Sequence, residues 1–265
     1  LAIGETYRSR LPIARDGSCN GLQHLSAMLR DRVGGSAVNL TPSETPRDIY
    51  SDVAGLLTTK LAHEVRAKSN LAVASANWLG LFKSLGYTGA PRKLLKPPVM
   101  TKPYSSTRQT CTETTYEWYK DQDVKYFTEK EEFRHAILIT PLIWSAISET
   151  AVAAEAAMKT LQSWARKISK HGPISYKSPL GFPVYHDDRK MDSKLIDTQI
   201  YGGMKLVFWQ PMDVINPYAA ANGVVPNLVH NTDSTHLVLT VVDCYERGVT
   251  SFAMIHDDFG THACD

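Results

Sequence analysis

Two carboxylates near opposite ends of the chain are the residues best suited to chemistry. The first is Asp16, in the stretch IARDGSCNGLQHLSAMLR at 13–30. There a short apolar run ends at Asp16, Gly17 makes a turn, and an amphipathic helix begins near Asn20. A carboxylate at a strand end beside a tight turn sits at the mouth of a sheet. One carboxylate binds Mg²⁺ weakly, whereas two, supplemented by substrate phosphates, make a usual magnesium site. The best partner lies in SFAMIHDDFGT at 251–261, where Phe252 to Ile255 form an apolar strand, His256-Asp257-Asp258 the turn, and Phe259 begins a return strand. Taken singly, Asp16 reads equally as a turn residue or helix cap, and Asp257 as an ordinary hairpin aspartate.

A second constellation is cationic. Between residues 89 and 108 stand Arg92, Lys93, Lys96, Lys102 and Arg108 with no acid among them. Such a run is commonly a solvated face. However, Arg92, Lys96, Met100 and Tyr104 recur every four residues, which on a helix places them along one slowly drifting stripe. Two cations followed by an apolar residue and an aromatic suit a nucleotide, with the cations on its triphosphate and a flat surface under its base. Proline is the objection. Pro97, Pro98 and Pro103 interrupt the stripe, and a proline inside a helix costs roughly 3 kcal/mol. The helix therefore either starts near Lys96 or is kinked.

The elements that must position these groups follow from periodicity. Gly34-Gly35 reads as a turn, and 41–48 as two overlapping helix starts capped by Thr41 and Thr45, each followed by proline. Ile49, Val53, Leu56, Leu57, Leu61 and Val65 form the apolar face of a helix ending near Lys68. A shorter helix spans 77–85, with Asn77 as its cap and Gly86 closing it, and another spans about 107–120. After a charged loop, two helical segments divide at Pro141, with Thr140 capping the second. That segment's stripe is Ile143, Ile147, Ala151, Ala154, Met158, Leu161 and Ile168. Strands follow at 174–186 around a Pro179-Leu180-Gly181 turn, and at 194–210 around Gly202-Gly203. Residues 227–246 are helical, with Asp233 read as a cap, and a hairpin closes the chain. The fold class is α+β: a small antiparallel sheet carrying Asp16 and Asp257, with a large, mostly helical insertion between its strands.

At 265 residues, 43% apolar and 21% charged, the chain can bury a substantial core as one domain or two intertwined subdomains. No run approaches 18 unbroken apolar residues, so no membrane partner is expected, and the start LAIGETYRSR has no apolar leader segment. A net charge of +2 is too small to argue for nucleic acid by itself. Cys19, Cys111, Cys244 and Cys264 lack metal-ligand spacing and read as reduced thiols. The missing initial Met and the stop just past a strand pair suggest an excerpt of a longer protein or a natural fragment.

Three segments, in order, resemble the single-subunit DNA-directed RNA polymerases of bacteriophages and mitochondria. These are DGSCNGLQHLSAMLRD with VGGSAVNLTPSE, then RKLLKPPVMTKPYSSTRQTC, and SFAMIHDDFGTHA, similar to that family's motifs A, B and C. PNLVHNTDSTHL at 226–237 resembles a fourth shared block. The resemblance covers nearly the whole chain and leans towards the phage branch.

It implies a right-hand polymerase, incomplete here. Residues 1–45 would be palm with motif A, and 46–229 fingers, with the nucleotide helix at about 91–105 and a promoter-specificity hairpin at about 174–210. Residues 230–265 would be palm with motif C, truncated. It implies Asp16 and Asp257 as ligands of two Mg²⁺ ions about 4 Å apart, with Gly17 leaving backbone near the metals. Arg92 and Lys96 would neutralise the triphosphate, Met100 and Tyr104 would meet the base and sugar, and His230 would help read the 2′-hydroxyl. His256 would contact the primer end, while Asp197, Gln199 and Lys205 would read promoter DNA in the major groove. Partners would be a double-stranded DNA promoter and template, nascent RNA and ribonucleoside triphosphates, handled by a monomer in the cytoplasm of a bacterial host. Two departures stand out: Ser105 replaces a glycine after the motif tyrosine, and Asp258 stands where phage enzymes often have serine.

Three alternatives remain at this level. A related single-subunit DNA polymerase shares the carboxylates and the Arg-x-x-x-Lys spacing, but carries a steric-gate glutamate where this chain has Ser18-Cys19-Asn20. An inactive nucleic-acid-binding fragment is the second. A non-templated nucleotidyltransferase is the third, although its acids normally lie close together in sequence.

Overall fold

The computed structural model describes residues 9–265; the first eight residues of the 1–45 segment lie outside the described residues. Strand β1 (Ile13–Asp16) pairs antiparallel with β7 (Asp258–Thr261), and β7 pairs in turn with β6 (Ala253–Ile255). The resulting three-stranded sheet has the order β1-β7-β6. Strands from opposite ends of the sequence thus share one sheet, as the motif spacing requires. Its register sets Asp16 opposite Asp258 and Ile255 opposite the same residue. His256 and Asp257 are therefore the two turn residues, and the return strand begins at Asp258, one residue earlier than the apolar pattern indicates. β1 is exposed along its length, so it is held by the ladder and not by burial of its apolar residues.

Nine α-helices among the described residues fill the interval. α1 (Asn20–Leu29) leaves the Asp16 turn through Cys19, which adopts φ 62°. α2 (Arg32–Ala37), capped by Asp31, contains both Gly34 and Gly35, so that pair lies within a short helix and makes no turn. α3 (Ile49–Ala67) is capped by Asp48, whose carboxylate accepts from the Tyr50 N–H; neither Thr41 nor Thr45 caps it. Ile49, Val53, Leu57 and Leu61 of the expected face are buried, whereas Val65, in the last turn, is exposed. α4 (Ala72–Ser84) starts five residues before Asn77, which lies within it. Gly86, at φ 82°, closes it as expected.

α5 (Arg92–Thr101) begins at Arg92, not near Lys96, and runs through Pro97 and Pro98 into a 3₁₀ turn, Lys102–Tyr104. α6 (Arg108–Lys120), capped by Thr107, matches expectation. α7 (Glu132–Thr150) passes through Pro141 without dividing there. Pro141 and Ile137 are both on the exposed face, so the carbonyl that loses its partner is open to water. Thr140 does not cap; its hydroxyl donates to the Ala136 carbonyl and meets Thr112. The break falls instead at Ala151, where α8 (Val152–Ile168) departs at 102°. Ile168, expected in the buried stripe, is 51% exposed. No single helix among the described residues is long and apolar enough to cross a membrane.

β2 (Ile174–Lys177) and β3 (Pro183–His186) form one hairpin; β4 (Arg189–Asp197) and β5 (Lys205–Ile215) form a second, longer one. α9 (Pro217–Glu246) begins ten residues before the expected start and runs through Pro226. Asp233 lies mid-helix and buried, so it is not a cap. The main core joins α1, α3, α4, α5, α6 and α7, with Trp78, Leu81, Phe82, Tyr119 and Ile143 fully buried. One wall of the site is therefore an edge of this core, and the other is the small sheet.

Candidate functional site

A cleft of about 710 Å³ opens between the sheet, α1, α5 and α9. It is lined by Asp16, Gly17, Arg92, Lys96, Met100, Tyr104, His230, His256 and Asp257. All nine residues expected from the three motifs and the fourth block share this one space. Asp257 comes close to the backbone that follows Asp16: a Cβ at Gly17 would lie 3.0 Å from Asp257 Oδ2. His256, at φ 56°, takes the left-handed turn position and turns Asp257 towards β1. Burial first, then the charges of Asp16 and Asp233, raise the Asp257 carboxyl above the usual range, against its own backbone N–H and His256. Clustered acids that repel one another are poised to accept a cation.

The opposite wall is cationic. Arg92, Lys96 and Met100 present one exposed face of α5, and Tyr104 completes the stripe at half burial. Lys96 makes no ion pair among the described residues. Arg92 is already engaged: its Nε donates to Asp48 Oδ2 at 2.6 Å and its guanidinium lies 4.7 Å over the Tyr50 ring. Despite partial burial, hydrogen bonds from Arg92 and Ser51 hold the Asp48 carboxyl below its usual range. Tyr104 stacks on His230 with ring centroids 5.0 Å apart. Burial pushes its phenol up to about 12, so it remains a neutral hydroxyl at physiological pH. Its tip packs on Gly21, where a Cβ would stand 2.7 Å from the hydroxyl oxygen.

Sequence reasoning missed the far rim, formed by Arg47, Asp48, Ile49 and Tyr50. The only signal was an Asp just before a helical apolar pattern, which is an N-cap signature that the two preceding Thr-Pro pairs obscured. Asp233 also lines the cleft. It accepts from Asn20 Nδ2 at 2.7 Å, lies 3.6 Å from His24, and so ties α9 to the first turn of α1. Cys19 lines the cleft as a buried thiol, raised by desolvation.

Asp197, Gln199 and Lys205 are not brought to this cleft. They sit at the exposed tip of the β4–β5 hairpin, where Asp197 and Lys205 are register partners 3.6 Å apart. Both departures gain a local description. Ser105 adopts φ 64°, a left-handed position that glycine takes without strain. Asp258 is half-buried in β7 with Oδ1 lacking a partner. The cysteines are free, and among the described residues no three His, Cys, Asp or Glu side chains converge as a metal cluster.

Paired acids at the mouth of a small antiparallel sheet thus face helix-borne cations and a tyrosine across one cleft. The chain belongs to the DNA-dependent RNA polymerase family, whose family model matches residues 2–265. It is 35% identical to the DNA-directed RNA polymerase of Enterobacteria phage T3, over 99% of this chain and 34% of that protein. It is likewise 35% identical to T7 RNA polymerase of Escherichia phage T7, over 99% of this chain and 34% of that protein. Identity to the mitochondrial DNA-directed RNA polymerase of Homo sapiens is 32%, over 98% of this chain and 20% of that protein. The chain thus spans about a third of the length of the phage relatives.

Proposed function

We propose that this chain is the nucleotidyl-transfer core of an enzyme that makes RNA on a DNA template from ribonucleoside triphosphates. The observation that carries the reading is the single cleft gathering Asp16, Asp257, the α5 stripe and His230. In this reading the sheet with α1 is palm, the helical insertion is fingers, and α5 is the nucleotide helix. The enzyme would act as a monomer in the cytoplasm of a phage-infected bacterium.

The acids fit Mg²⁺: two carboxylates line one cleft without side-chain partners among the described residues, and the Asp16 charge adds to the cost of charging Asp257 unless a cation intervenes. Asp16 and Asp257 would hold two ions, with the Gly17 backbone close by. Bound there, the ions would make the RNA 3′-hydroxyl more acidic and offset charge on the departing pyrophosphate. The remaining roles belong to side chains. Lys96, and Arg92 once released from Asp48, neutralise the triphosphate. Met100 and Tyr104 form the surface under base and sugar. His230, held by its stack on Tyr104, meets the 2′-hydroxyl, and His256 orients the RNA 3′ end. The β4–β5 hairpin reads the promoter through Asp197, Gln199 and Lys205.

The test uses the full natural protein, a DNA template and ribo- or deoxyribonucleoside triphosphates. Ribonucleotides are expected to be preferred, and Asp16→Asn or Asp257→Asn to lower synthesis more than about 100-fold, the upper range for losing an outer-shell partner of a metal ligand. DNA binding is expected to survive both changes. Preference for deoxyribonucleotides would reject the reading.

A further inference from the structure

Of the basic run, Lys93, Lys102 and Arg108 do not line the cleft, and Lys102 alone of these is buried. Lys102, two residues before Tyr104, is 4% exposed. A buried ammonium is tolerated only when its donors are satisfied and its charge is paired. Here two donors are placed, on Ser148 Oγ at 2.5 Å and on the Trp144 carbonyl at 3.1 Å, and the charge is paired by Glu155 Oε2 at 3.1 Å, an ion pair without hydrogen-bond alignment. The ammonium also lies 4.4 Å from the centroid of the Trp144 ring. The partners come from α7 and α8, on either side of the 102° break at Ala151. A second link lies further along α8, where Gln162 Nε2 donates to Ser105 Oγ at 3.2 Å. Glu155 and Gln162 are seven residues apart on α8, hence on one face. That face grips the 3₁₀ turn on both sides of Tyr104, and Ser105 supplies the left-handed exit.

We propose that Lys102 is a positioning residue: its buried ion pair with Glu155 fixes the 3₁₀ turn so that Tyr104 stays seated between Gly21 and His230, and thereby sets discrimination between ribose and deoxyribose. This rests on the polymerase reading of the cleft. A solvated or merely space-filling lysine would need neither two directional hydrogen bonds nor a paired acid. The spacing alone could not reveal this role, because position 102 falls off the Arg92–Lys96–Met100–Tyr104 stripe.

The experiment measures kcat/KM for ribo- and deoxyribonucleotides, and thermal midpoints, in the full natural protein. Fluorine NMR of fluorotyrosine placed at Tyr104 runs in parallel. Lys102→Met is expected to lower the ribo-to-deoxyribo ratio by about 10- to 100-fold, the scale of a displacement near 1 Å at a reacting centre, and to shift the fluorine resonance. Lys102→Arg, which keeps the charge, should return most of the ratio. The double variant Lys102→Met with Glu155→Leu removes both charges, so it should fold with a near-wild-type midpoint yet retain the low ratio. A double variant with wild-type selectivity overturns the proposal. So does a Lys102→Met variant that loses stability alone. If the wild type makes no RNA, the polymerase reading fails, and the fluorine resonance still decides the positioning claim: unchanged in both variants, it overturns it.

Discussion

At the scale of single residues, the cleft is set by a few close approaches. Gly21 in α1 faces the phenol of Tyr104, and its hydroxyl oxygen and two ring carbons would lie within 3.0 Å of an added Cβ. The ring cannot swing away freely, because it stacks on His230. Gly21→Ala is therefore expected to push Tyr104 off its seat at a cost of about 1–3 kcal/mol, the usual range for overpacking. The measurement is the KM for ribonucleotides beside the thermal midpoint. A raised KM with weakened ribose preference is expected, and kinetics unchanged from wild type would show that the tip of Tyr104 does not matter. Asp16, Asp257 and the α5 stripe were legible because each sits in a short pattern with its own physical signature: a strand end, a two-residue turn, a four-residue repeat. Tyr50 and Asp233 were not, since nothing in a neighbouring sequence distinguishes a cleft-lining residue from a core tyrosine or a helix aspartate.

At the scale of elements, helices are legible where apolar spacing dominates, whereas proline and glycine are poor guides to where they end. α3 and α6 ended where their patterns end. α7 and α9 continued through Pro141 and Pro226, because each proline frees a carbonyl on an exposed face, at Ile137 and Asn222. The actual break, at Ala151, carries no such residue and is stabilised by the polar cluster behind it. That cluster makes an acid-stability prediction. Burial alone would raise the Glu155 carboxyl, but hydrogen bonds from Lys159 and Ser148 and the charge of Lys102 outweigh it and hold it at about 2. Lys102 moves opposite to what pairing alone would give, because burial lowers it more than Glu155 raises it. The carboxylate dominates acid behaviour. Its ordinary value is 4.5, so its contribution is complete above that pH and is lost as pH falls towards about 2. Wild-type thermal midpoints should drop more steeply across this window than those of Glu155→Gln, whose side chain does not titrate. Parallel curves would remove Glu155 from acid stability.

At the scale of the whole molecule, the surface is too large. A compact monomer of 29.4 kDa exposes about 11,500 Å², whereas this chain exposes 17,037 Å². Part of the excess is apolar and local. Leu195, Phe208 and Trp209 stand more than half exposed on the β4–β5 hairpin, and Val238, Leu239, Val242 and Tyr245 line the exposed end of α9. Apolar faces of that extent promote association. With the chain spanning about a third of its phage relatives, the isolated 265 residues are expected to bind an apolar-surface dye, to self-associate with rising concentration, and to make no templated RNA. The cleft itself should survive, because its walls rest on the main core and on the β1-β7-β6 sheet. Nucleoside triphosphate binding should therefore persist in the isolated chain and weaken in Lys96→Ala. Sedimentation against concentration and calorimetric titration with ATP measure the two halves separately. A monodisperse monomer with full templated synthesis would show that the exposed surface is simply solvated. Loss of ATP binding would show that the cleft depends on more than the elements that line it.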